Sequence, residues 1–361
     1  MVSYRSRKGK NGTHWYVSWR DADKHQRTKG GFTRKIDAEK WAAEHVIVAQ
    51  VKGTYVDPQA SRTLIGQLGE QWLNSHTTWS NSYTYSMRIA WQTWVEPQWA
   101  HRRLDSIRTS EIQAWVTHMG EQRSPSVVKR AYGILRGIYD MAAKDHLISL
   151  APTQGVELPK KRKADKHIYT PTQLKAIAQA SGEHASLVYV LGLCGLRWGE
   201  ATALTVEDFD KTNSTLRINK AVKKIGNRTE VSKPKTLKSI RTVYLPQFLT
   251  DMLAQEIHDR KPTDLLFPNR HGGYLRHEAT SDQNHGWLKT AMIKAGVPLY
   301  RAHDLRHTAA SIAISSGANV YAVQRMLGHE NASTTLNTYA DLFEKDANNA
   351  AMRINATMQA L

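Results

Sequence analysis

A chain of 361 residues exceeds the usual size of one domain, so we expect two or three domains. Apolar residues make up 40% of the chain, which excludes wholesale disorder, and no run of about 18 apolar residues predicts a transmembrane helix. Lysine and arginine number 50 against 32 aspartate and glutamate residues. The resulting formal charge of +18 favours a polyanionic partner, with DNA or RNA ahead of an anionic membrane surface.

Two further features bear on the cellular compartment. The first eight residues contain charged side chains but no apolar segment, so we expect no signal peptide. Cys194 is the only cysteine, which excludes a disulfide within the chain and a cysteine-based zinc site. The sequence therefore predicts a reduced, cytosolic, basic protein that does not associate with a membrane.

Residues 1–56 are predicted to form a small basic domain of one sheet and one helix. Ten of the first 35 residues are lysine or arginine and two are aspartate. Residues that favour strands fill 14–19 and 25–32 around a turn, and apolar positions recur at helical spacing over 34–51. Because the charge lies on the sheet while the helix has its own apolar stripe, we predict that the sheet binds DNA. The candidate contacts are Arg5, Arg7, Lys8, Lys10, Arg27 and Lys29.

Residues 62–155 are predicted to form an all-helical domain. The predicted helices cover 63–75, 82–95, 110–119 and 126–146. Ser124 and Pro125 suit the start of the last helix, as N-cap and first helical residue. The tryptophans could stack on bases, but their helical spacing with leucine and isoleucine favours packing in a core. They are Trp72, Trp91, Trp94 and Trp115.

A basic linker, residues 156–166, separates this segment from the rest of the chain. Such a run is often only a solvated surface or, in eukaryotes, a nuclear import signal. Its position between two basic segments favours contact with DNA phosphates instead. The cations concerned are Lys160, Lys161, Arg162 and Lys163.

Residues 167–361 are predicted to form a mixed α+β domain. Thr170 and Pro171 start a helix by the same capping logic. Alternating apolar positions predict strands at 216–223 and 239–245. Helices are predicted at 184–194, 198–205, 246–259, 278–295, 303–316, 319–327 and 333–361.

Four short motifs of this domain contain side chains that could carry chemistry. Arg197 lies in Gly-Leu-Arg-Trp-Gly-Glu, and Lys235 lies in Pro-Lys-Thr at the start of a strand. His303 and Arg306 share one helix face in His-Asp-Leu-Arg-His-Thr. Leu-Gly-His, which ends at His329, is followed ten positions later by Tyr339.

Taken singly, each motif is weak, because a lone arginine is usually a surface charge and a lone helical tyrosine usually packs in a core. A metal site on His303, His307 and His329 lacks the acidic partners that would support it. As one ordered set, however, the residues are unlikely to have arisen by chance.

This ordered set resembles the catalytic domain of the tyrosine recombinase, or phage integrase, family. The family orders its active site as Arg, Lys, His-x-x-Arg, His or Trp, and Tyr. The resemblance implies that the catalytic residues here are Arg197, Lys235, His303, Arg306, His329 and Tyr339. The lysine is the least certain member of the set, since Lys233 and Lys238 lie in the same predicted hairpin.

The resemblance also implies a fold for each segment, and together they give a multidomain, mainly α protein. Residues 1–56 resemble a small α+β arm-binding domain with a three-stranded sheet and a helix. Residues 62–155 resemble an all-α, SAM-like core-binding domain. Residues 167–361 resemble the mixed α+β catalytic domain with its C-terminal helix. That helix has an apolar face over 348–361, which could pack on its own domain or on a neighbouring subunit.

The implied chemistry cuts and rejoins DNA without metal, cofactor or ATP. Tyr339 would attack a phosphate to form a 3′-phosphotyrosine link, while two arginines hold the non-bridging oxygens. His303 would accept the phenolic proton or contact the phosphate, and Lys235 would protonate the leaving hydroxyl. Glu200 would orient Arg197 rather than react.

The resemblance implies a homotetramer on double-stranded DNA, with core and arm attachment sites. DNA-bending and directionality factors of the host or phage are expected partners in a bacterial cytoplasm. The extra N-terminal domain favours an integrase that inserts a phage genome into host DNA and excises it. A transposon or conjugative-element integrase, a type IB topoisomerase and a non-catalytic DNA-binding protein are the alternatives.

Overall fold

The computed structural model describes residues 2–9, 12–20, 26–48, 60–161, 166–232, 240–276 and 286–359. The chain divides into two units, Met1–Lys163 and Ala164–Leu361. The boundary between these units falls inside the predicted basic linker. Helices predominate in both units, and the described strands form small antiparallel sheets.

The N-terminal part of the first unit is a three-stranded antiparallel sheet with one helix. Strands β1 (Ser3–Gly9), β2 (Gly12–Arg20) and β3 (Gln26–Phe32) lie in that order. Helix α1 (Lys35–Ala42) continues through a wider helical turn to Ile47. Its alanines and Val46 cover Val17 and Trp19 of β2. Apart from Tyr4, the residues of β1 are polar or glycine. No alternation of apolar and polar residues therefore marks this strand in the sequence.

The rest of the first unit is helical. It contains α2 (Ile65–Ser75), α3 (Asn81–Ala90), α4 (Glu96–Trp99), α5 (Thr109–Gln122) and α6 (Pro125–Lys144), with a wider helical turn at Trp91–Val95. Trp91 is fully buried, and Trp72, Trp94 and Trp115 pack partly buried against the same core. Core packing, rather than stacking on bases, therefore accounts for these four rings.

Helix α6 begins at Pro125 with Ser124 at the N-cap, as predicted, but the cap is formed without the serine hydroxyl. The Ser124 side chain makes no capping hydrogen bond. The fixed φ of proline at the first helical position is sufficient to start the helix. At Thr170 the prediction is confirmed, because its hydroxyl accepts a hydrogen bond from the Gln173 amide at 3.2 Å.

The second unit is built around α8 (Ala185–Cys194), which is buried on nearly all sides. It packs between α7 (Pro171–Ala180) and α12 (Ala302–Ser315). The other helices are α9 (Trp198–Ala201), α10 (Gln247–Glu256), α11 (Trp287–Lys294), α13 (Val320–Leu327) and α14 (Ala332–Gln359). The strands are β4 (Phe209–Asp210), β5 (Thr215–Ile218), β6 (Ala221–Ile225), β7 (Arg228–Ser232) and β8 (Arg241–Tyr244), in a sheet β4-β5-β8 and a hairpin β6-β7.

Two predicted elements of this unit differ from the structure, and a third lies partly outside the described residues. The strand predicted at 216–223 is two strands, because Asn219 and Lys220 turn to Asp208, whose carboxylate lies 2.6 Å from the Lys220 ammonium. The helix predicted at 198–205 ends at Ala201, and β7 was not predicted. Of the helix predicted at 278–295, the part at 278–285 lies outside the described residues.

The C-terminal helix is interrupted at Tyr339, whose φ of −124° and ψ of 20° are not helical. On its predicted apolar face, Ile354 and Met358 are exposed. The side chains of Ala350 and Met352, and Leu361 as a whole, lie outside the described residues. Across the described ranges, no helix is both long enough and apolar enough to span a membrane.

Candidate active site

Five of the six predicted catalytic residues lie on described elements of the second unit. Arg197 immediately precedes α9, His303 and Arg306 lie on α12, His329 follows α13, and Tyr339 interrupts α14. The lysine candidates Lys233, Lys235 and Lys238 all lie outside the described residues.

Two glycines bring Arg197 and His329 together. Gly195 ends α8 with a φ of 66°, and a Cβ there would lie 2.6 Å from the Leu327 side chain. Gly328 ends α13 with the same φ, and a Cβ there would lie 2.7 Å from the Arg241 guanidinium. Glycine is required at both positions because a left-handed turn coincides with a close approach.

The Arg197 guanidinium is held by hydrogen bonds and is still accessible to solvent. Its guanidinium lies 2.7 Å from the Glu200 carboxylate, and its backbone amide donates to the same carboxylate at 2.9 Å. It also donates to the Gly328 carbonyl at 3.3 Å. The side chain is nevertheless 47% exposed, so it can still contact a phosphate.

Arg241 is a member of this network that sequence reasoning missed. Its buried guanidinium donates to the Glu200 carboxylate at 2.8 and 3.3 Å and to the Met326 carbonyl at 3.0 Å. Although burial opposes the shift, Arg241 and Arg197 together lower the pKa of Glu200 to about 2. No local motif marks Arg241, which begins strand β8 far from the other site residues in sequence.

Arg306 is a buried cation in the middle of the site. It is 3% exposed and donates to the Gly195 carbonyl. Burial, together with the charge of Arg197, lowers its pKa to about 9, so it stays cationic at neutral pH. No ion pair joins Arg306 to a carboxylate anywhere in the described ranges. A buried positive charge without a carboxylate partner is a favourable place for an anion.

The two predicted catalytic histidines flank this cation. The His303 side chain is accessible at the surface of α12. Burial of part of its ring, together with the charge of Arg306, lowers its pKa. The His329 Nδ1 lies 2.8 Å from the hydroxyl of the buried Thr335. Burial and the nearby arginines lower the pKa of His329 to about 4, so the ring is neutral at pH 7. When Nδ1 accepts from Thr335, Nε2 carries the proton and can donate to an anionic oxygen.

Tyr339 lies in an apolar pocket and is only 1% exposed. The buried side chains around it are Ala310, Ile314, Val323 and Leu327. Its hydroxyl lies 2.8 Å from the His307 Nδ1. Burial raises the pKa of Tyr339 to about 12, and Arg306 opposes this shift.

The partner of the Tyr339 hydroxyl thus differs from the predicted one. The sequence suggested that His303 accepts the phenolic proton or contacts the phosphate, whereas the structure places His307 at hydrogen-bonding distance from the Tyr339 hydroxyl. The signal was present in the sequence, since His307 lies one helical turn after His303 and faces the same side. The two rings lie edge to face, 5.1 Å apart.

The predicted DNA contacts of the N-terminal sheet are not all on one face. Arg5 pairs with Tyr16 on β2, and Arg7 with His14, on the face away from α1. Arg27 pairs with Trp19 and Lys29 with Val17, so they lie on the side of the helix. Lys8, Lys160 and Lys161 are exposed, whereas Lys10, Arg162 and Lys163 lie outside the described residues.

The described residues contain no group of three or more histidine, cysteine, aspartate or glutamate side chains placed to hold a metal ion. What the site does contain is a cluster of cations around a tyrosine. Arg197 and Arg306 can bind an anion in two-point fashion, and Tyr339 supplies a hydroxyl nucleophile.

Comparison with known proteins gives consistent matches over this unit and beyond it. Residues 168–346 match the family described as the phage integrase family. The integrase of Mycobacterium phage L5 is 26% identical over 313 residues, which cover 82% of each chain.

Two solved structures share the fold. The Tn1549 transposon integrase, in complex with circular intermediate DNA, superposes with a TM-score of 0.67 and 19% identity over 81% of this chain and 100% of that one. A lambda integrase tetramer bound to a Holliday junction gives a TM-score of 0.59 and 13% identity over 91% and 96% of the respective chains.

Proposed function

Because the chain belongs to the phage integrase family and is a site-specific tyrosine recombinase, we propose that it inserts and excises a phage or other mobile element through Tyr339. The observation that carries this proposal is the position of Tyr339 beside Arg306, a buried cation with no carboxylate ion-pair partner in the described ranges. Arg306 can hold a phosphodiester close to the Tyr339 segment, so that the hydroxyl could attack it once Tyr339 leaves its buried position.

The proposed reaction exchanges one phosphate ester for another. The Tyr339 oxygen forms a bond to phosphorus and loses its proton, while the bond from phosphorus to the 5′-oxygen breaks and that oxygen gains a proton. The product is a 3′-phosphotyrosine link and a 5′-hydroxyl. Attack by a 5′-hydroxyl reverses the step, so rejoining conserves the ester bond and needs no ATP.

Arg197 and Arg306 are proposed to hold the non-bridging oxygens as negative charge grows on them. Donors of this kind typically contribute about 3–4 kcal/mol each to lowering the barrier. His329 is proposed to donate a further hydrogen bond through Nε2, and the exposed His303 to contact the same phosphate. Lys235 is proposed as the acid that protonates the 5′-oxygen.

The assembly and the second DNA site are also proposals. A homotetramer on DNA follows by analogy with the lambda integrase tetramer, which was solved on a Holliday junction. The basic N-terminal sheet is proposed to bind arm sites while the catalytic unit binds the core site. Binding two sites through one chain raises the local concentration of the second.

The test uses a supercoiled plasmid that carries the DNA flanking the gene. The wild-type chain is expected to give an SDS-stable protein–DNA adduct, with equal yield in EDTA because the arginines provide the cationic charge. Tyr339→Phe is expected to bind the plasmid and give no adduct. An adduct from Tyr339→Phe would contradict the assignment of the nucleophile, and relaxation without exchange between two sites would favour a topoisomerase.

A further inference from the structure

The proposed nucleophile is not at the protein surface. Tyr339 is 1% exposed, and its ring packs among side chains of α12 and α13. A DNA phosphate cannot reach the hydroxyl of a tyrosine in this position. Attack therefore requires Tyr339 to leave the pocket, and whatever holds the hydroxyl there controls its release.

His307 makes that contact. Its Nδ1 lies 2.8 Å from the Tyr339 oxygen, and the two rings are nearly edge to face with centroids 5.7 Å apart. The segment before α7 contributes Lys166, whose ammonium lies 5.4 Å from the centre of the Tyr339 ring. The phenol is therefore enclosed by a histidine on α12 and a cation from another part of the domain.

Burial and the charges around His307 together keep its ring neutral. Burial is the main cause, and the neighbouring His303 lowers the pKa of His307 in the same direction, as do Lys166 and Arg306. Asp304 opposes the shift, and the resulting pKa is about 4. A neutral ring can accept the hydroxyl hydrogen at Nδ1, whereas a protonated ring cannot.

A neutral histidine of this kind holds the phenol but does not deprotonate it. The pKa is about 4 for His307 and about 12 for Tyr339. Proton transfer from Tyr339 to His307 is therefore strongly unfavourable in the DNA-free chain. The contact acts on the position of Tyr339 rather than on its charge.

We propose that His307 is a positioning residue that holds the Tyr339 hydroxyl inside the catalytic unit until DNA binds. The inference rests on the proposed function of Tyr339 as the nucleophile. The interruption of α14 at Tyr339 fits this role, because the residue can change its backbone angles without unwinding a regular helix on either side. Loss of the hydrogen bond then releases the nucleophile.

The first test measures access to Tyr339 in the full-length, DNA-free protein. Nitration with tetranitromethane, mapped by mass spectrometry, should label Tyr339 several-fold faster in His307→Phe than in wild type. Tyr169 is the internal control, because it is equally buried and donates to the Pro298 carbonyl at 2.7 Å. Faster labelling of both tyrosines would indicate general loosening and would overturn the proposal, as would no change at Tyr339.

The second test measures adduct formation on the plasmid with the flanking DNA. His307→Phe should form the SDS-stable adduct roughly two- to tenfold faster at unchanged DNA affinity, as expected for the loss of one hydrogen bond from the resting state. A slower reaction at unchanged affinity would show that His307 assists the attack instead. Absence of any adduct from the wild-type chain would contradict the proposed function and not this inference.

A third measurement does not depend on His307→Phe being folded. Tyr339→Phe removes one hydroxyl and leaves the ring in place. The ¹⁵N chemical shift of the His307 Nδ1 in the DNA-free protein should change between wild type and Tyr339→Phe, with no comparable change at His258 on the surface. An unchanged shift would mean that the hydrogen bond does not exist in solution.

Discussion

At the scale of single residues, the side chains of the candidate site hold one another in place through a chain of ion pairs. Arg197 and Arg306 are proposed to bind the phosphate. Glu200 pairs with Arg197, and Arg241 pairs with Glu200. Glu200 accepts hydrogen bonds from both arginines, and its carboxylate is nearly inaccessible to water. Buried carboxylates of this kind stabilise a fold only while they are ionised and paired.

Glu200→Gln should therefore lower the free energy of unfolding at neutral pH and make it less dependent on pH below 4.5. The ordinary pKa of 4.5 falls to about 2 in the folded chain, which corresponds to a contribution of about 3 kcal/mol. Since the folded pKa is the lower one, the contribution is complete above pH 4.5 and is lost as the pH falls towards 2. Urea unfolding of both proteins from pH 7 to pH 3 measures this, and a constant difference across the range would contradict it.

Replacement of the arginines proposed to bind the phosphate should affect the rate of adduct formation more than DNA affinity. Arg306→Ala should slow adduct formation about 10²- to 10³-fold, because its charge matters most as negative charge grows in the transition state. DNA affinity, measured by fluorescence anisotropy, should change by less than about tenfold. Arg325→Ala is the matched control, as an exposed arginine on α13. Equal losses of affinity and rate in Arg306→Ala would indicate a role in binding only.

At the scale of elements, the site depends on where helices end. Helix α8 ends at Gly195 and α13 at Gly328, and a proposed catalytic residue follows within two positions of each glycine, Arg197 in the first case and His329 in the second. Strand β8 then contributes Arg241, which joins the end of α13 to Glu200 at the start of α9. The end of one helix, the start of another and the edge of a sheet are thereby fixed to each other.

Gly328→Ala should destabilise the contact between the end of α13 and Arg241. The loss should exceed the strain of a left-handed alanine alone. A Cβ at Gly328 meets the Arg241 guanidinium at 2.7 Å, whereas a Cβ at Gly296, with a nearly identical φ, meets nothing within 4 Å. Gly296→Ala should cost about 1–2 kcal/mol of unfolding free energy. Gly328→Ala should cost about 1–3 kcal/mol more and slow adduct formation. Equal costs in thermal unfolding would mean that Arg241 moves aside without loss.

At the scale of the whole molecule, positive charge and division into units favour a protein that binds DNA at more than one place. The formal charge is +18, and the exposed cations of β1 and of residues 160–161 belong to the first unit, whereas the candidate active site belongs to the second. Binding that neutralises many phosphates releases counterions, so affinity should fall steeply as salt rises.

Deletion of residues 1–56 tests the proposed division of labour. The truncated chain should form the adduct on a core site at a rate close to that of the full chain, and it should lose binding to DNA distal to the core. Electrophoretic mobility shift assays on core-only and core-plus-distal fragments measure both effects. Loss of adduct formation on the core fragment would mean that the N-terminal segment belongs to the catalytic machinery.

Local patterns in the sequence were enough to locate most helices and five described catalytic candidates. The residues of His-Asp-Leu-Arg-His-Thr are close in sequence, so helical spacing alone places His303 and Arg306 on one face. The polar strand β1 and the hairpin strand β7 lack an apolar alternation, and the pattern therefore did not reveal them. The break at 219–220 was also missed, because it depends on a contact with Asp208.

The order and spacing of Arg197, His303, Arg306, His329 and Tyr339 are thus properties of the sequence by itself, and they were sufficient to indicate the family. Only the tertiary structure decided which groups hold them. Arg241 reaches Glu200 across 41 positions, and His307 reaches Tyr339 across 32. Contacts at such separations arise from the packing of helices and strands against one another, and a pattern within a short window of sequence does not encode that packing.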